Sequence, residues 1–186
     1  MPEAAEGRVE QVDGRYVIRF ERRFSRPIDE VWAALTEPER LKQWIGATEV
    51  ELELVEGGSF VTRTNGPQEL VEAMIAEGAG EPPFESRDTV LRLDPPRLFE
   101  HTFGGMPESI VRWELEADGD GCLLRLAHTE PVGFDPRFAP RDMAGWHELL
   151  YLLERAVEPG AGDSPSWSRQ RWQNYRDDYA RRLGHS

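Results

Sequence analysis

The fold is decided by the stretch RFSRPIDEVWAALTEPERLKQW, Arg23–Trp44, which joins a predicted strand to two short helices. Pro27 favours a turn out of the strand, because its ring fixes φ. Asp29 suits the first turn of a helix, where free N–H groups and the positive end of the helix dipole favour carboxylates. Pro38 favours the start of a second helix, where a missing N–H costs nothing. The stretch therefore predicts a V of two short helices beside a sheet, with Trp44 in the core.

Outward from this stretch, the chain is mostly a run of predicted strands. Alternation of apolar and acidic side chains, as in Glu49–Leu54, is typical of a strand with one buried face. Turns rich in Gly, Pro and Asp separate the later segments, which indicates antiparallel connections. The predicted strands are Val17–Phe24, Glu49–Leu54, Ser59–Thr64, Arg87–Leu93, Leu98–Phe103, Ser109–Ala117 and Cys122–Thr129.

Two helical patterns occupy the C-terminal part of the chain. Met143, Trp146 and Leu150 recur at helical spacing within residues 140–157, and an apolar face this broad belongs against a sheet. Residues 159–166 then break the helix. Residues 167–183 form a second helical pattern, which we expect to pack on the same body as a closing helix.

The remaining segments are an insertion and an N-terminal arm. Residues 65–86 interrupt the strands and contain Leu70–Glu77, whose apolar spacing predicts a short helix. Long loops in compact domains are often functional, so the insertion is either a lid over a pocket or a surface decoration. Residues 1–14 are predicted to be a flexible acidic arm, or at most an edge element. Residues 15–184 are predicted to form a single domain.

Four spaced motifs resemble the START-like superfamily, also called SRPBCC. Within it they are similar to the branch of the activator of heat-shock-protein-90 ATPase. The resemblance spans roughly residues 17–157 and implies an α+β helix-grip fold. In this fold a curved antiparallel sheet of about six or seven strands wraps around the long C-terminal helix, with two short helices after the first strand. The motifs are Val31-Trp32 with Ala34–Glu39 and Trp44, Glu56–Phe60, Leu93–Leu98, and Gly145-Trp146.

The resemblance also implies a largely apolar cavity between the sheet and the long helix. Strand parity and helical spacing predict which side chains face it, although buried aromatic residues more often belong to the core than to a ligand platform. For His147, the alternative is a position on the flank of an amphipathic helix. The predicted cavity residues are Trp32, Trp44, Phe60, Phe103, Trp113, Leu126, His128, Met143, Trp146, His147 and Leu150.

Two residues are candidates for catalysis. His128 at a cavity mouth would serve as an acid, a base or a hydrogen-bond donor, whereas the alternative is an imidazole satisfied by Glu130. Parity turns His101 and Phe103 inward, but the family pattern would instead turn Glu100 inward, where burial would raise its pKa. A bulge that returns Glu100 to solvent is the alternative. None of the motifs is catalytic, which favours a protein without enzymatic activity and leaves an enzyme as the alternative.

Composition excludes several classes of partner and site. The formal net charge of −13 over 186 residues argues against nucleic acids and anionic membrane surfaces, because cations must meet phosphates there. Four scattered histidines and one cysteine, Cys122, predict neither a metal site nor a disulfide, and the thiol is expected to be buried and inert. No nucleotide-binding loop is present, so no cofactor is predicted. The acidic N-terminus and the absence of a long apolar run predict a cytoplasmic protein without membrane insertion.

Three functional hypotheses follow from the sequence. The first is non-enzymatic binding of a hydrophobic or amphipathic small molecule in the cavity. The alternatives are an aromatase/cyclase-like enzyme of polyketide type and a co-chaperone-like protein interaction. A homodimer or a protein partner is compatible with each of them.

Overall fold

The structure is a computed structural model, and it describes residues 7–158 and 165–184. Eight strands form one antiparallel sheet in the order β1-β2-β8-β7-β6-β5-β4-β3. The α+β helix-grip fold is therefore confirmed, with one strand more than the sequence predicts. The strands are β1 (Arg8–Val12), β2 (Arg15–Phe24), β3 (Glu49–Leu52), β4 (Ser59–Thr64), β5 (Phe84–Asp94), β6 (Leu98–Phe103), β7 (Met106–Asp118) and β8 (Gly121–Thr129).

The additional strand is β1, at the edge of the sheet. Its residues pair in antiparallel register with β2, from Arg8 opposite Arg19 to Val12 opposite Arg15. The two-residue turn between them, Asp13-Gly14, has φ values of 50° and 78°, which suits a hairpin in which both central residues have positive φ. The prediction of a flexible arm is therefore wrong for β1, where the edge element forms instead. Residues 1–6 lie outside the described part of the chain.

The two predicted short helices are present as α1 (Ile28–Thr36) and α2 (Pro38–Leu41). The buried face of α1 includes Val31 and Leu35, and Pro38 occupies the first turn of α2. Trp44 is 1% exposed, and its indole N–H donates to the carbonyl oxygen of Ala34 at 2.9 Å. This hydrogen bond holds the end of the V against α1.

Three further helices complete the fold. They are α3 (Gln68–Ala76), α4 (Ala139–Val157) and α5 (Arg169–Arg182), and a 3-10 helix, Pro136–Phe138, precedes α4. The short helix predicted in the insertion, the long helix and the closing helix are all observed. Most of the predicted break, residues 159–164, lies outside the described residues. Among the described helices, none has both the length and the apolar character needed to cross a bilayer.

Helix α5 is joined to α4 through a buried carboxylate. The Glu148 side chain is fully buried and receives two hydrogen bonds from the Arg171 guanidinium, at 2.6 and 3.0 Å. The backbone N–H of Ser168 donates to the same carboxylate at 2.8 Å. Tyr179 of α5 lies edge-on to Phe20 of β2, with ring centroids 6.4 Å apart. These contacts attach α5 to α4 and to the sheet.

Candidate functional site

A cavity of about 940 Å³ lies between the sheet, α3 and the N-terminal half of α4. Aromatic side chains form much of its wall, because inward-facing positions of β4, β6 and β7 meet the same face of α4. The ends of α2 and α5 add further indole rings. The aromatic and histidine residues of the wall are Trp44, Phe60, Phe84, Phe99, His101, Phe103, Trp113, His128, Phe134, Phe138, Trp146, Trp167 and Trp172.

Six of the eleven residues predicted to face the cavity do line it: Trp44, Phe60, Phe103, Trp113, His128 and Trp146. The other five, which lie elsewhere, are Trp32, Leu126, Met143, His147 and Leu150.

On α4, the predicted residues Met143 and Leu150 do not line the cavity because they lie on a different face of the helix. Asp142, Gly145 and Leu149 recur at helical spacing and line the cavity. Met143 and Leu150 are 1% and 0% exposed and belong to the packed core. Successive residues on a helix are rotated by about 100° around its axis, so the apolar side chains cover a broad face. Only part of that face borders the cavity, and the rest packs in the core.

The remaining misplaced residues lie in three environments. Leu126 is 1% exposed and belongs to the core, whereas Trp32 is half-buried on α1 and packs against the core from outside. His147 faces α5, where its ring stacks on Tyr175 at 3.9 Å between centroids. Its Nδ1 lies 2.8 Å from the hydroxyl of Tyr179, and burial lowers the pKa of His147 to about 4. His147 is therefore a structural contact between two helices.

The inserted helix α3 forms one wall of the cavity. Leu70, Met74 and Glu77 line it, and Ala73 is buried against the body of the protein. At its start, Glu69 accepts a hydrogen bond from the backbone N–H of Arg169 at 2.9 Å, which links α3 to the beginning of α5. The insertion is therefore more than a surface decoration, and its opening as a lid stays a prediction.

Two histidines face the cavity from neighbouring inward positions of the sheet, because His101 of β6 and His128 of β8 both pair with Val111 of β7. His101 accepts a hydrogen bond at Nε2 from the indole of Trp113 at 3.1 Å. Its Nδ1 therefore carries the proton, which it donates to the carbonyl oxygen of Thr102 at 2.6 Å. Burial lowers the pKa of His101 to about 4.

His128 has the opposite tautomer to His101, and a tryptophan indole again fixes it. Its Nδ1 accepts from the indole of Trp146 at 3.0 Å, so Nε2 carries the proton and donates to the hydroxyl of Ser109 at 2.8 Å. Burial lowers the pKa of His128 to about 3. Both histidines therefore stay neutral at pH 7, and an indole occupies the lone pair that a general base would need.

Glu100, the second catalytic candidate, does not line the cavity. On β6 it sits between Arg92 and Arg112 of the adjacent strands and accepts a hydrogen bond from Arg112 at 3.1 Å. Cross-strand pairs of opposite charge stabilise this outward orientation. The interpretation from parity, with His101 inward, is the one observed, and the family pattern is wrong at this position.

The sequence predicts Glu130 only as a partner of His128, yet this residue is a prominent polar group of the cavity wall. It is 3% exposed, and its Oε1 has no hydrogen-bond partner among the described residues. Burial, followed by the negative charge of Asp142, raises the pKa of Glu130 to about 8, while Arg141 opposes this shift. The signal was available in the sequence, since the inward alternation of Leu124, Leu126 and His128 reaches Glu130 at the next step.

Negative charge predominates around the cavity. The ionisable acids that line it outnumber the single lining arginine, Arg141, which pairs with Asp142 at 2.7 Å. Asp88 is satisfied by the hydroxyls of Ser86 and Thr102. Within residues 7–158 and 165–184, no three potential metal-ligating side chains lie together. The lining acids are Glu77, Glu81, Glu85, Asp88, Glu130 and Asp142.

Comparison with solved structures shows relatives that share this architecture. The solution NMR structure of the protein encoded by gene BPP1335 from Bordetella parapertussis is 30% identical, with a TM-score of 0.69, over 97% of this chain and 92% of that chain. The crystal structure of CalU16 from Micromonospora echinospora is 26% identical, with a TM-score of 0.65, over 99% and 100%. DynU16, described as a protein in the dynemicin biosynthetic locus, is 24% identical, with a TM-score of 0.60, over 82% of this chain and 51% of its own, and shows a shared fold.

No curated protein matches the chain. The model of the family described as activator of Hsp90 ATPase homolog 1-like protein matches residues 25–158, which is most of the helix-grip body. The chain therefore belongs to the activator of Hsp90 ATPase homolog 1-like family, within the START-like superfamily.

Proposed function

We propose that this protein binds a hydrophobic or amphipathic small molecule in the cavity between the sheet and α4. The observation that carries the proposal is the cavity itself, with about 940 Å³ of space and a largely aromatic wall. Small-molecule sites commonly have about 300–1,000 Å³ and combine an apolar lining with a few polar groups. An unfilled interior of this size costs packing energy, which a function in binding would explain.

The two alternatives have less support. A cyclase-like enzyme would rest on His128 and Glu100, but the His128 lone pair is occupied by Trp146, and Glu100 faces away from the cavity. A co-chaperone-like interaction rests on the family description alone, and a change in the ATPase rate of Hsp90 on adding this protein would support it. The predictions of a cytoplasmic location and of no nucleic-acid partner stay predictions.

Filling the cavity from α4 tests the proposal. A Cβ atom at Gly145 would meet no heavy atom within 4 Å beyond its own stretch of α4, and Gly145 lines the cavity. The variant Gly145→Phe should therefore keep the fold while its ring occupies the space of a ligand. We expect the neutral dye Nile red to bind it at least about tenfold more weakly than the wild type. Quenching of tryptophan fluorescence provides the readout, because five of the six tryptophans line the cavity.

Unchanged binding by folded Gly145→Phe would contradict a ligand site in this cavity, and so would the absence of any Nile red binding to the wild type. Native mass spectrometry of the protein purified from its own cells adds a second test, because a retained small molecule should be present in wild type and lost in Gly145→Phe.

The matched control is Gly145→Ala, which makes a prediction of its own. Alanine lowers the backbone entropy of the unfolded chain, and the added methyl group enters open space. We expect the free energy of unfolding to rise by about 0.5–1 kcal/mol, measured by urea denaturation, with Nile red binding retained. A destabilised Gly145→Ala would show that this side of α4 is packed more closely than described.

A further inference from the structure

Glu130 is a buried carboxyl group whose carboxylate lacks a counter-ion in the described protein. It follows β8, is 3% exposed and lines the cavity, and its Oε1 has no hydrogen-bond partner there. The nearest ring nitrogen is Nδ1 of His128, at 3.3 Å. That nitrogen already accepts the indole N–H of Trp146, so it has no proton to donate to Glu130. An isolated buried carboxylate is costly unless a cation or donor reaches it.

The charged groups around Glu130 do not supply that cation. On β2, the guanidinium of Arg15 donates to the backbone carbonyl oxygen of Glu130, at 2.6 and 3.1 Å, and not to its carboxylate. On α4, Arg141 is bound to Asp142 at 2.7 Å. Glu77 of α3 adds a further negative charge close to Arg141 and Asp142. Asp142 and Glu77 thus offset the positive charge of Arg141, and none of these described groups forms an ion pair with the Glu130 carboxylate.

A cluster of aromatic rings adjoins this carboxyl group through His128. The rings of Phe103, His128 and Trp146 form a cluster with centroid separations of 5.0–5.6 Å, and His128 is the residue that contacts Glu130. An ammonium group is attracted to the faces of such rings as well as to a carboxylate. Rings and carboxylate together therefore favour a cation over a neutral or anionic group at this end of the cavity.

The other ionisable residues of the cavity wall also favour a cationic ligand. Six acids and one arginine line the cavity, Glu85 is paired with Arg63 and Arg87, and Arg141 is paired with Asp142. An anionic headgroup would therefore find no unpaired cation among the described lining residues. A divalent metal ion is a poor alternative, since no three potential ligands lie together in the described part of the chain. The aromatic wall and the volume of about 940 Å³ leave room for an apolar body attached to the cationic group.

We propose that the ligand of this cavity is a cationic amphiphile, an amine with an aromatic or other apolar body, whose ammonium group pairs with Glu130 beside Phe103 and Trp146. The inference rests on the proposed function and names its ligand class. Glu130 is then the counter-ion of the ligand, and His128 is a positioning residue whose neutral ring supports the site without exchanging protons.

The proposal is tested with three probes that share one body. They are 1-naphthylmethylamine, 1-naphthylmethanol and 1-naphthoic acid, titrated at pH 7 by calorimetry or by quenching of tryptophan fluorescence. We expect the amine to bind tightest, by about tenfold or more over the alcohol, and the acid to bind weakest. In Glu130→Gln the amine should lose about 10–100-fold in affinity, whereas the alcohol should change by less than about threefold. Glu72→Gln, exposed on α3 and not among the residues that line the cavity, is the matched control for long-range charge and should change little.

The dependence on pH provides a readout that needs no variant. Because the pKa of Glu130 lies at about 8, the carboxyl group is mostly protonated at pH 6, and pairing with an amine must release its proton. Amine affinity should therefore rise about tenfold per pH unit between pH 6 and pH 7, and level off above pH 8. A ligand that instead accepts a hydrogen bond from protonated Glu130, such as a carbonyl compound, would lose affinity above pH 8.

The outcomes separate this inference from the proposed function. Equal binding of the three probes, or tightest binding of the alcohol or the acid, overturns the inference, while loss of that binding in Gly145→Phe would uphold the cavity as a site. Amine affinity that is flat or falls from pH 6 to pH 8 overturns it as well. Absence of binding by all three probes also overturns it, and Nile red then decides separately whether the cavity binds apolar molecules.

Discussion

Glu130→Gln should be more stable than the wild-type protein at pH 8, by about 1–3 kcal/mol in the free energy of unfolding. The pKa of this carboxyl group is raised from its ordinary value of 4.5 to about 8 in the folded protein, chiefly by burial. The folded state therefore holds a proton that the unfolded state releases. Glutamine has a similar shape, stays neutral and removes this cost.

The sign of the effect follows from proton linkage. A pKa that is higher in the folded state adds stability below pH 4.5, and this stability is lost as the pH rises through 8. The advantage of Glu130→Gln should therefore be small near pH 4.5, grow with pH and become constant above pH 8. Comparing variant and wild type at each pH removes the opposite contribution of His101 and His128, whose lowered pKa values reduce stability below pH 6.5.

Urea denaturation at pH 5 and pH 8 measures this difference, with exposed Glu81→Gln as the control. An advantage that does not depend on pH would contradict an elevated pKa for Glu130. If Glu130→Gln is more stable and also loses amine binding, then Glu130 lowers the stability of the wild-type protein and contributes to ligand binding. Such a trade between stability and function is common at binding sites.

Arg171→Ala should destabilise the protein by about 3 kcal/mol, because it leaves a carboxylate buried without its cation. Glu148 is fully buried, and Arg171 supplies two of its hydrogen bonds. Helix α5 also carries Trp172 on the cavity wall, and Trp167 lies just before it. We therefore expect Nile red binding to weaken together with the loss of stability.

The control for this change is Arg181→Ala on the same helix, whose side chain is 76% exposed and pairs with Asp178. It should change stability by less than about 0.5 kcal/mol. The double variant Glu148→Met and Arg171→Met should recover most of the loss, since the uncompensated charge is then absent. A loss below about 1 kcal/mol for Arg171→Ala would show that Glu148 finds water or another donor.

Elements with a local signature were predictable from the sequence. The predicted bounds agree within a few residues with the observed bounds for most elements. These are the strands with clear alternation, the V of α1 and α2, the inserted helix and the two C-terminal helices. Strand β1 was the exception, although Asp13-Gly14 is a strong hairpin signal. The polar composition of the arm outweighed that signal, because edge strands are stabilised by backbone pairing more than by buried side chains.

The candidate site was predictable only in part. The alternation of side chains on β6 correctly predicts that His101 faces inward. The family pattern, which places Glu100 inward, is wrong because Glu100 lies between Arg92 and Arg112 on adjacent strands. The same alternation, extended by one step beyond β8, would have identified Glu130 as a wall residue.

Hydrophobic periodicity and the positions of prolines and glycines were thus sufficient to predict the helix-grip architecture, because these signals act on near neighbours in the chain. Which side chains border empty space, and which fill the core, depended on the angle between α4 and the sheet and on where α3 and α5 dock. The protonation states of the site depended on the same packing. Burial lowers the pKa of His101 and of His128, and a tryptophan from another element fixes the tautomer of each. Burial, followed by the charge of Asp142 on α4, raises the pKa of Glu130. Such contacts join residues far apart in the chain, and no local pattern encodes them.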